Sequence, residues 1–556
     1  MIVYRHHDEP VVPAGVLTRL ASRLAAEHDA EALLSLLIEF GELESAVTDA
    51  LFPAQDELNP AVARLRDTAL ALARAWWRAH RNEPAGAEIT QAQRALETLA
   101  ALDLPREARV VVPEGYAWYG LHPQSYAAAA ERFAAAEMPG PVTCIGLRSI
   151  GSSLSAVVGA VLHERGWSVS AHTLRPRGHP FDRRPLLGPL LAARWRAGHG
   201  PFLVVDEGPG LSGSSLCGVA EALDALGVAD HRIVFFPSWD PPADRLRSPR
   251  AQARWPCQRK YVAGAAAPAF LAGAHDLSAG AWRKEVFGAG HDLPAVQPQH
   301  ERRKFLVHTP EGSRIYRFAG LARHGTAKRA RAQVLAEAGF CPAPGGLREG
   351  YLDFPFLKGT PLQPADASRQ FLETVAHYLA FLTRRFALPH PAPHQATAHM
   401  LVHNVAESLG PALAERAAAL ARGPAAGDAP AVALDGRMLP HEWLLTPWGY
   451  RKMDALDHHA DHFFPGCNDI AWDLAAVMEE FALAPEAGEA LVSRYAALSG
   501  DRHVAARLPF QRAAYLAYRL GYADLARQTL AGSADGARFA RLAAACNARL
   551  RAVLTP

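Results

Sequence analysis

The chain has 556 residues, with 58 Lys and Arg against 56 Asp and Glu and 49% hydrophobic residues. Its length implies about three or four domains, its net charge of +2 excludes a protein built mainly to coat nucleic acid, and its apolar content excludes global disorder. No CxxC pair occurs among Cys144, Cys217, Cys257, Cys341, Cys467 and Cys546, and no apolar run approaches about 18 residues, so a zinc ribbon, a disulfide framework and a membrane span are not indicated. The start, MIVYRHHDEPVV, lacks the basic end and apolar core of a secretory signal, and a soluble cytoplasmic protein is the expectation.

Residues 1–104 read as a helical N-terminal region. Apolar residues recur at three and four through LTRLASRLAAEHDAEALLSLLIEF and VARLRDTALALARAWWRAH, and the Trp76–Trp77 pair at that spacing is expected in the core. From 105 to 240 short β-rich runs alternate with helical stretches: ARVVVP, PVTCIGL, WSVSAHTL, PFLVVDE and HRIVFFPSW. That alternation predicts a mostly parallel sheet with helices on both faces, whose ligands sit at the carboxyl ends of strands.

The sharpest motif is FLVVDEGPGLSGSSL, Phe202 to Leu216. Gly208, Gly210 and Gly213, with Leu211 between them, let the backbone fold tightly. Ser212, Ser214 and Ser215 add hydroxyl donors at a helix start whose dipole favours an anion. Asp206 and Glu207 are acceptors suited to the vicinal hydroxyls of a ribose. Together they describe a phosphorylated ribose.

This segment resembles the PRPP-binding motif of type I phosphoribosyltransferases, with Ser at the usual Thr positions. CIGLRSIGSSLSAVV resembles that family's pyrophosphate loop, with Arg148, Gly151, Ser152 and Ser153 in the matching places. TLRPRGHPFDRRP lies where the family has a flexible hood, with Arg175, Arg177 and Arg183 as basic side chains over a leaving group, alongside His179 and Arg184. The resemblance implies phosphoribosyl transfer from PRPP with Mg²⁺. Asp206 and Glu207 would hold the ribose, Arg148 would neutralise the departing pyrophosphate, and the acceptor is an unassigned small molecule.

Residues 241–300, with DPPADRLRSPRAQARWPCQRK, read as an irregular connection. From 301 to 556, KFLVHTPEGSRIYRFAGL predicts a hairpin around PEGS, TAKRARAQVLAEAG a helix, and the remainder mixed and then helical structure. Residues 303–500 resemble the aminoglycoside-phosphotransferase-like branch of the protein kinase superfamily. The resemblance implies a bilobal α+β domain, with ATP as a possible co-substrate. Arg317 stands where that family usually has Lys, DGRMLPHEWLL resembles the catalytic loop, and Asp454 the metal-binding Asp. The pattern departs around Asp435: a loop two residues longer puts Glu442 in the metal position, and without it Arg437 falls where the catalytic Asp belongs.

DALDHHADH offers a rival transition-metal cluster of Asp454, Asp457, His458, His459, Asp461 and His462, with His458 and His462 on one helical face. Asp469 and Asp473 read as structural, with Asn468 as a helix N-cap. The whole is therefore expected to be a multidomain α/β plus α+β protein. Its leading reading couples phosphoribosyl transfer to a second, kinase-like modification. One alternative is a PRPP or nucleotide sensor with a degenerate kinase-like scaffold; another is a small-molecule phosphotransferase that uses the first fold for recognition. Homo-oligomerisation stays open.

Overall fold

The computed structural model describes residues 1–5, 8–264, 267–287, 293–423 and 429–555. It resolves into two compact units, one of residues 8–272 with 320–326, the other of residues 1–7, 273–319 and 327–556.

In the first unit, strands β1 (Asp8–Val11) and β2 (Ala108–Val111) form an antiparallel pair. The five-stranded sheet is built from β3 (Pro141–Leu147), β4 (Ser168–Leu174), β5 (Phe202–Val205), β6 (Ile233–Phe236) and β7 (Arg259–Lys260), in the order β4-β3-β5-β6-β7 and parallel throughout. Phe202–Val205 and Ile233–Phe236 are buried at every position, as strands covered on both faces must be. The run ARVVVP lies outside this sheet. Its fifth strand comes instead from Arg259–Lys260, inside the stretch read as an irregular connection, because a two-residue edge strand carries no apolar signature.

Helices Ala30–Leu51 and Pro60–His80 start at side-chain caps: Asp29 accepts from Ala32 N, and Asn59 from Ala61 N and Val62 N. Trp76 and Trp77 are buried, as their helical spacing predicts.

In the second unit, β8 (His275–Asp276), β9 (Lys304–Thr309), β10 (Gly312–Phe318), β11 (Leu347–Arg348) and β12 (Tyr351–Pro355) form an antiparallel sheet in the order β11-β12-β10-β9-β8. The β9–β10 hairpin turns at Pro310–Glu311, within the predicted PEGS. Beyond it come β13 (Thr360–Pro361), β14 (Ala387–Pro391), β15 (Pro430–Val432), β16 (Trp443–Thr446) and β17 (Gly449–Lys452). The helices Arg369–Phe386, Ala471–Glu480 and Val504–Thr529 share one apolar core containing Tyr378, Trp443, Trp472 and Tyr515. Among the described residues no helix is long and apolar enough to cross a membrane.

Asn468 does not cap the helix Ala471–Glu480. Its amide donates to Thr397 Oγ1, and Asp469 accepts from Ala471 N at 3.0 Å while pairing with Arg507.

Candidate functional site

In the first unit the loops after β3 and β5 flank the point where strand order reverses, the place where open parallel sheets bind ligands. The side chains there are already engaged. Arg148 is buried, with Nε 2.8 Å from Asp49 Oδ1 and Nη2 on Asp56. Arg175 pairs with Asp49, and Arg177 Nη1 lies 3.8 Å from Asp56 Oδ2. These arginines thus neutralise acids from the N-terminal helical region, which local sequence pattern does not reveal. Gly151, Ser152 and Ser153 are buried at the start of the helix Ile150–Glu164; Ser152 Oγ meets Ser45 Oγ and Ser153 Oγ meets Tyr116 OH, both at 2.8 Å.

The predicted phosphate loop closes on itself in the same way. Gly210 and Gly213 have positive φ, which permits the turn into the helix Ser214–Ala225. Gly213 N donates to Pro209 O, Ser214 N to Ser212 Oγ, and Ser214 Oγ to Pro180 O at 2.8 Å. Ser215 is half-buried, whereas Gly210, Leu211 and Arg183 are exposed. The basic segment is pinned at its base by Arg177 and Arg184, which exchange main-chain hydrogen bonds. Asp206 and Glu207 are half-buried at the strand end. Burial pushes Asp206 up to about 6, and burial with the nearby charges of Glu114 and Asp206 lifts Glu207 well above the usual carboxylate range. Glu207 Oε2 accepts from Gly115 N at 2.8 Å. The elements named for PRPP are therefore close together, but Arg148 and the serine donors are turned to structural partners.

The second unit gathers a different set. Strands β16 and β17 pair so that Trp443 faces Lys452, which brings the residue before the hairpin beside those after it: Met453 N donates to Glu442 O. Glu442, Asp454 and His458 consequently present ligand atoms within 4.8 Å of one another. Arg317, on β10, reaches Asp454 Oδ1 at 2.7 Å and Asp457 Oδ1 at 2.8 Å. Lys452 is buried against Glu442 Oε2 at 2.8 Å and Asp435 Oδ1 at 3.3 Å. Asp473 accepts the N–H groups of Asp435 and Gly436, both at 2.8 Å, and so fixes the loop.

Asp435 is buried and takes Tyr378 OH at 2.7 Å, whereas Arg437 lies on the cleft wall with Leu439, Pro440 and His441. Arg437 and Glu442 form an ion pair at 3.1 Å.

The proposed histidine–aspartate cluster separates. His458 starts a short 3-10 turn rather than an α-helix, Asp457 and Asp461 are claimed by Arg302 at 3.0 and 2.6 Å, and His462 stacks on Tyr4. Burial opposes charge on Asp454, but Arg317, His458 and Arg437 hold its carboxyl well below the usual range. Burial likewise disfavours the imidazolium of His458, yet Asp454 outweighs it and raises His458 to about 9. Glu442, Asp454 and His458 together are the candidate metal ligands. Two neighbouring carboxylates suit a hard cation such as Mg²⁺, which at Asp454 Oδ1 would share the atom with Arg317 Nη1, 2.7 Å away. Arg302, Lys328 and Lys452 were not apparent in the sequence, since a single basic residue in a polar run reads as solvated; each is buried here among carboxylates.

Arg302, Arg317, Arg437, Asp454 and His458 border a cavity of about 470 Å³. No family model matches the chain, and no curated protein matches it. Several solved kinases are similar to it. A choline/ethanolamine kinase family protein from Mesorhizobium loti is 17% identical, covering 49% of this chain and 91% of that one, with a TM-score of 0.34. The choline kinase LicA from Streptococcus pneumoniae is 14% identical over 44% and 89%, with a TM-score of 0.30. The macrolide 2'-phosphotransferase MphH from Brachybacterium faecium is 21% identical over 44% and 89%, with a TM-score of 0.31.

Proposed function

We propose that the unit containing residues 327–556 is a nucleotide- and Mg²⁺-dependent phosphotransferase acting on a small molecule. The observation that carries this reading is the placement of Asp454 next to Arg317 on the wall of one cavity, with a Glu442 carboxylate oxygen within 4.8 Å of Asp454. Phosphoryl transfer asks a protein mainly for positioning and charge stabilisation, and a cleft with two acids and a fixed guanidinium supplies both.

Glu442 and Asp454 would hold Mg²⁺ together with the nucleotide phosphates, and the ion when bound would neutralise charge on them. Arg317, fixed by Asp454 and Asp457, presents its guanidinium to the phosphate chain. The acceptor hydroxyl oxygen forms the new bond to the γ-phosphorus as the bond to the bridging oxygen breaks, its electron pair leaving on the nucleoside diphosphate; the hydroxyl proton passes to solvent.

A second reading, a binding scaffold without turnover, is favoured by the ion pairs that engage both acids: Arg437 and Lys452 on Glu442, Arg317 on Asp454. Transfer of label from γ-labelled ATP to a panel of hydroxylated small molecules, with Mg²⁺, separates the two. Turnover that drops about a hundredfold or more in Asp454→Asn supports the phosphotransferase. ATP binding without turnover across the panel supports the scaffold, and label transfer undiminished in the variant refutes the assigned site. In the first unit Arg148, Ser152, Ser153 and Ser214 are engaged with other protein groups, which does not favour phosphoribosyl transfer there.

A further inference from the structure

The walls of the same cavity are unevenly charged. Among the described residues that line it, seven are basic (Arg and Lys) and five are acidic. The acids have partners. Asp457 and Asp461 are paired with Arg302, Glu301 accepts from Gly280 N at 2.9 Å and Trp282 Nε1 at 3.0 Å, and Glu480 takes Tyr515 OH at 2.6 Å. The arginines at the end formed by the helix Val504–Thr529 are less fully used. Arg437 Nη2 lies 3.1 Å from Glu442 Oε1, and its side chain is 43% exposed. Arg519 Nε lies 2.9 Å from Glu480 Oε1, yet it is buried with no aligned hydrogen bond.

A guanidinium has five donors in a planar fork that matches a phosphate or carboxylate. Leaving those donors unfilled inside a cleft is costly unless a ligand completes them. The same end offers ring faces: Trp282 and His441 stack with centroids 5.8 Å apart, and Tyr518 and Tyr522 lie on the wall. Burial and the charge of Arg437 push His441 down to about 3, so its ring stays neutral and adds no competing charge.

We infer that the acceptor bound in this cleft is an anionic small molecule, a phosphate ester or carboxylate whose charged group is received by Arg437 and Arg519 while its uncharged body rests on the rings of Trp282 and His441. This rests on the phosphotransferase reading above and names its substrate class. A cationic acceptor would find the acids of this wall already paired, whereas the 43% exposed guanidinium of Arg437 is open to an anion.

The test is a charge ladder on one sugar ring. Glucose 6-phosphate, glucuronate, glucose and protonated glucosamine are titrated calorimetrically into the full chain, with binding of Mg²⁺–ATP measured in parallel. The expected order is both anions, or one of them, tighter than glucose, with glucosamine weakest. Arg437→Gln and Arg519→Gln should each weaken the anion by about tenfold. Arg527→Gln, which removes the same charge from the same helix at an exposed position outside the cavity, should leave it unchanged. Preference for phosphate over carboxylate, or the reverse, identifies the head group. Equal or tighter binding of glucose or glucosamine overturns the inference, as does failure of both anions to bind. The ladder on the unsubstituted protein stands even if a variant misfolds. Anion preference without Mg²⁺–ATP binding sinks the phosphotransferase reading while supporting the anion site; Mg²⁺–ATP binding without anion preference sinks only the substrate class.

Discussion

Lys452 Nζ lies 2.8 Å from Glu442 Oε2, at the centre of a buried charge set that also holds Asp435 at 3.3 Å. Because Lys452 is enclosed, the two carboxylates depend on it as much as it depends on them. Lys452→Met leaves Glu442 to Arg437 and Asp435 to Tyr378 OH without their shared buried cation, and breaking a buried pair on one side costs about 3–5 kcal/mol. Denaturant unfolding of the variant should show a loss of that size, together with weakened nucleotide binding. A loss below about 1 kcal/mol would mean that other cations satisfy the acids.

In the first unit the corresponding element is Arg148 with Asp56. Asp56→Asn leaves a buried guanidinium undercompensated, and unfolding should report a cost of about 3 kcal/mol. The double substitution Asp56→Leu/Arg148→Met removes both charges and should be less damaging than Asp56→Asn alone, a non-additivity that a double-mutant cycle reads directly. An Arg148 that served mainly to hold pyrophosphate would instead tolerate Asp56→Asn with little change in stability.

Glu44 supplies the pH dependence. Burial lifts its carboxyl from an ordinary 4.5 to about 7, the charges of Arg66 and Arg148 offsetting only part of that. The folded state therefore holds the proton more tightly than the unfolded state, so stability present at low pH is lost as pH rises from about 4.5 to 7 and then levels off. The contribution is at most about 3 kcal/mol. Glu44→Gln removes it, and the stability of the variant should fall less than that of the unsubstituted protein between about pH 5 and 7.5. Parallel curves over this range would show that Glu44 is ionised throughout.

Much of the architecture can be read from residue pattern. The all-apolar run Phe202–Val205 and the runs around it mark parallel strands, and PEGS marks the β9–β10 turn, because these signals are local. The resemblance singles out Arg317, Glu442 and Asp454; the hairpin β16–β17 brings Glu442 beside Asp454, and Arg317 reaches Asp454 from β10. What pattern does not show is pairing across long stretches of chain. Arg148 meets Asp56 across 92 residues and Arg175 meets Asp49 across 126, so two of the basic side chains that read as ligand groups have partners within the chain. Asp435 misleads for a related reason: its acidity suggests chemistry, but the main-chain grip of Asp473 turns Arg437 toward the cavity in its place.

The most direct test is calorimetric titration of Mg²⁺–ATP into the full chain beside Asp454→Asn. Saturable, Mg²⁺-dependent binding that weakens about tenfold or more in the variant is the predicted result. Binding of equal strength in both proteins, or none in either, would contradict a metal–nucleotide site at Glu442 and Asp454.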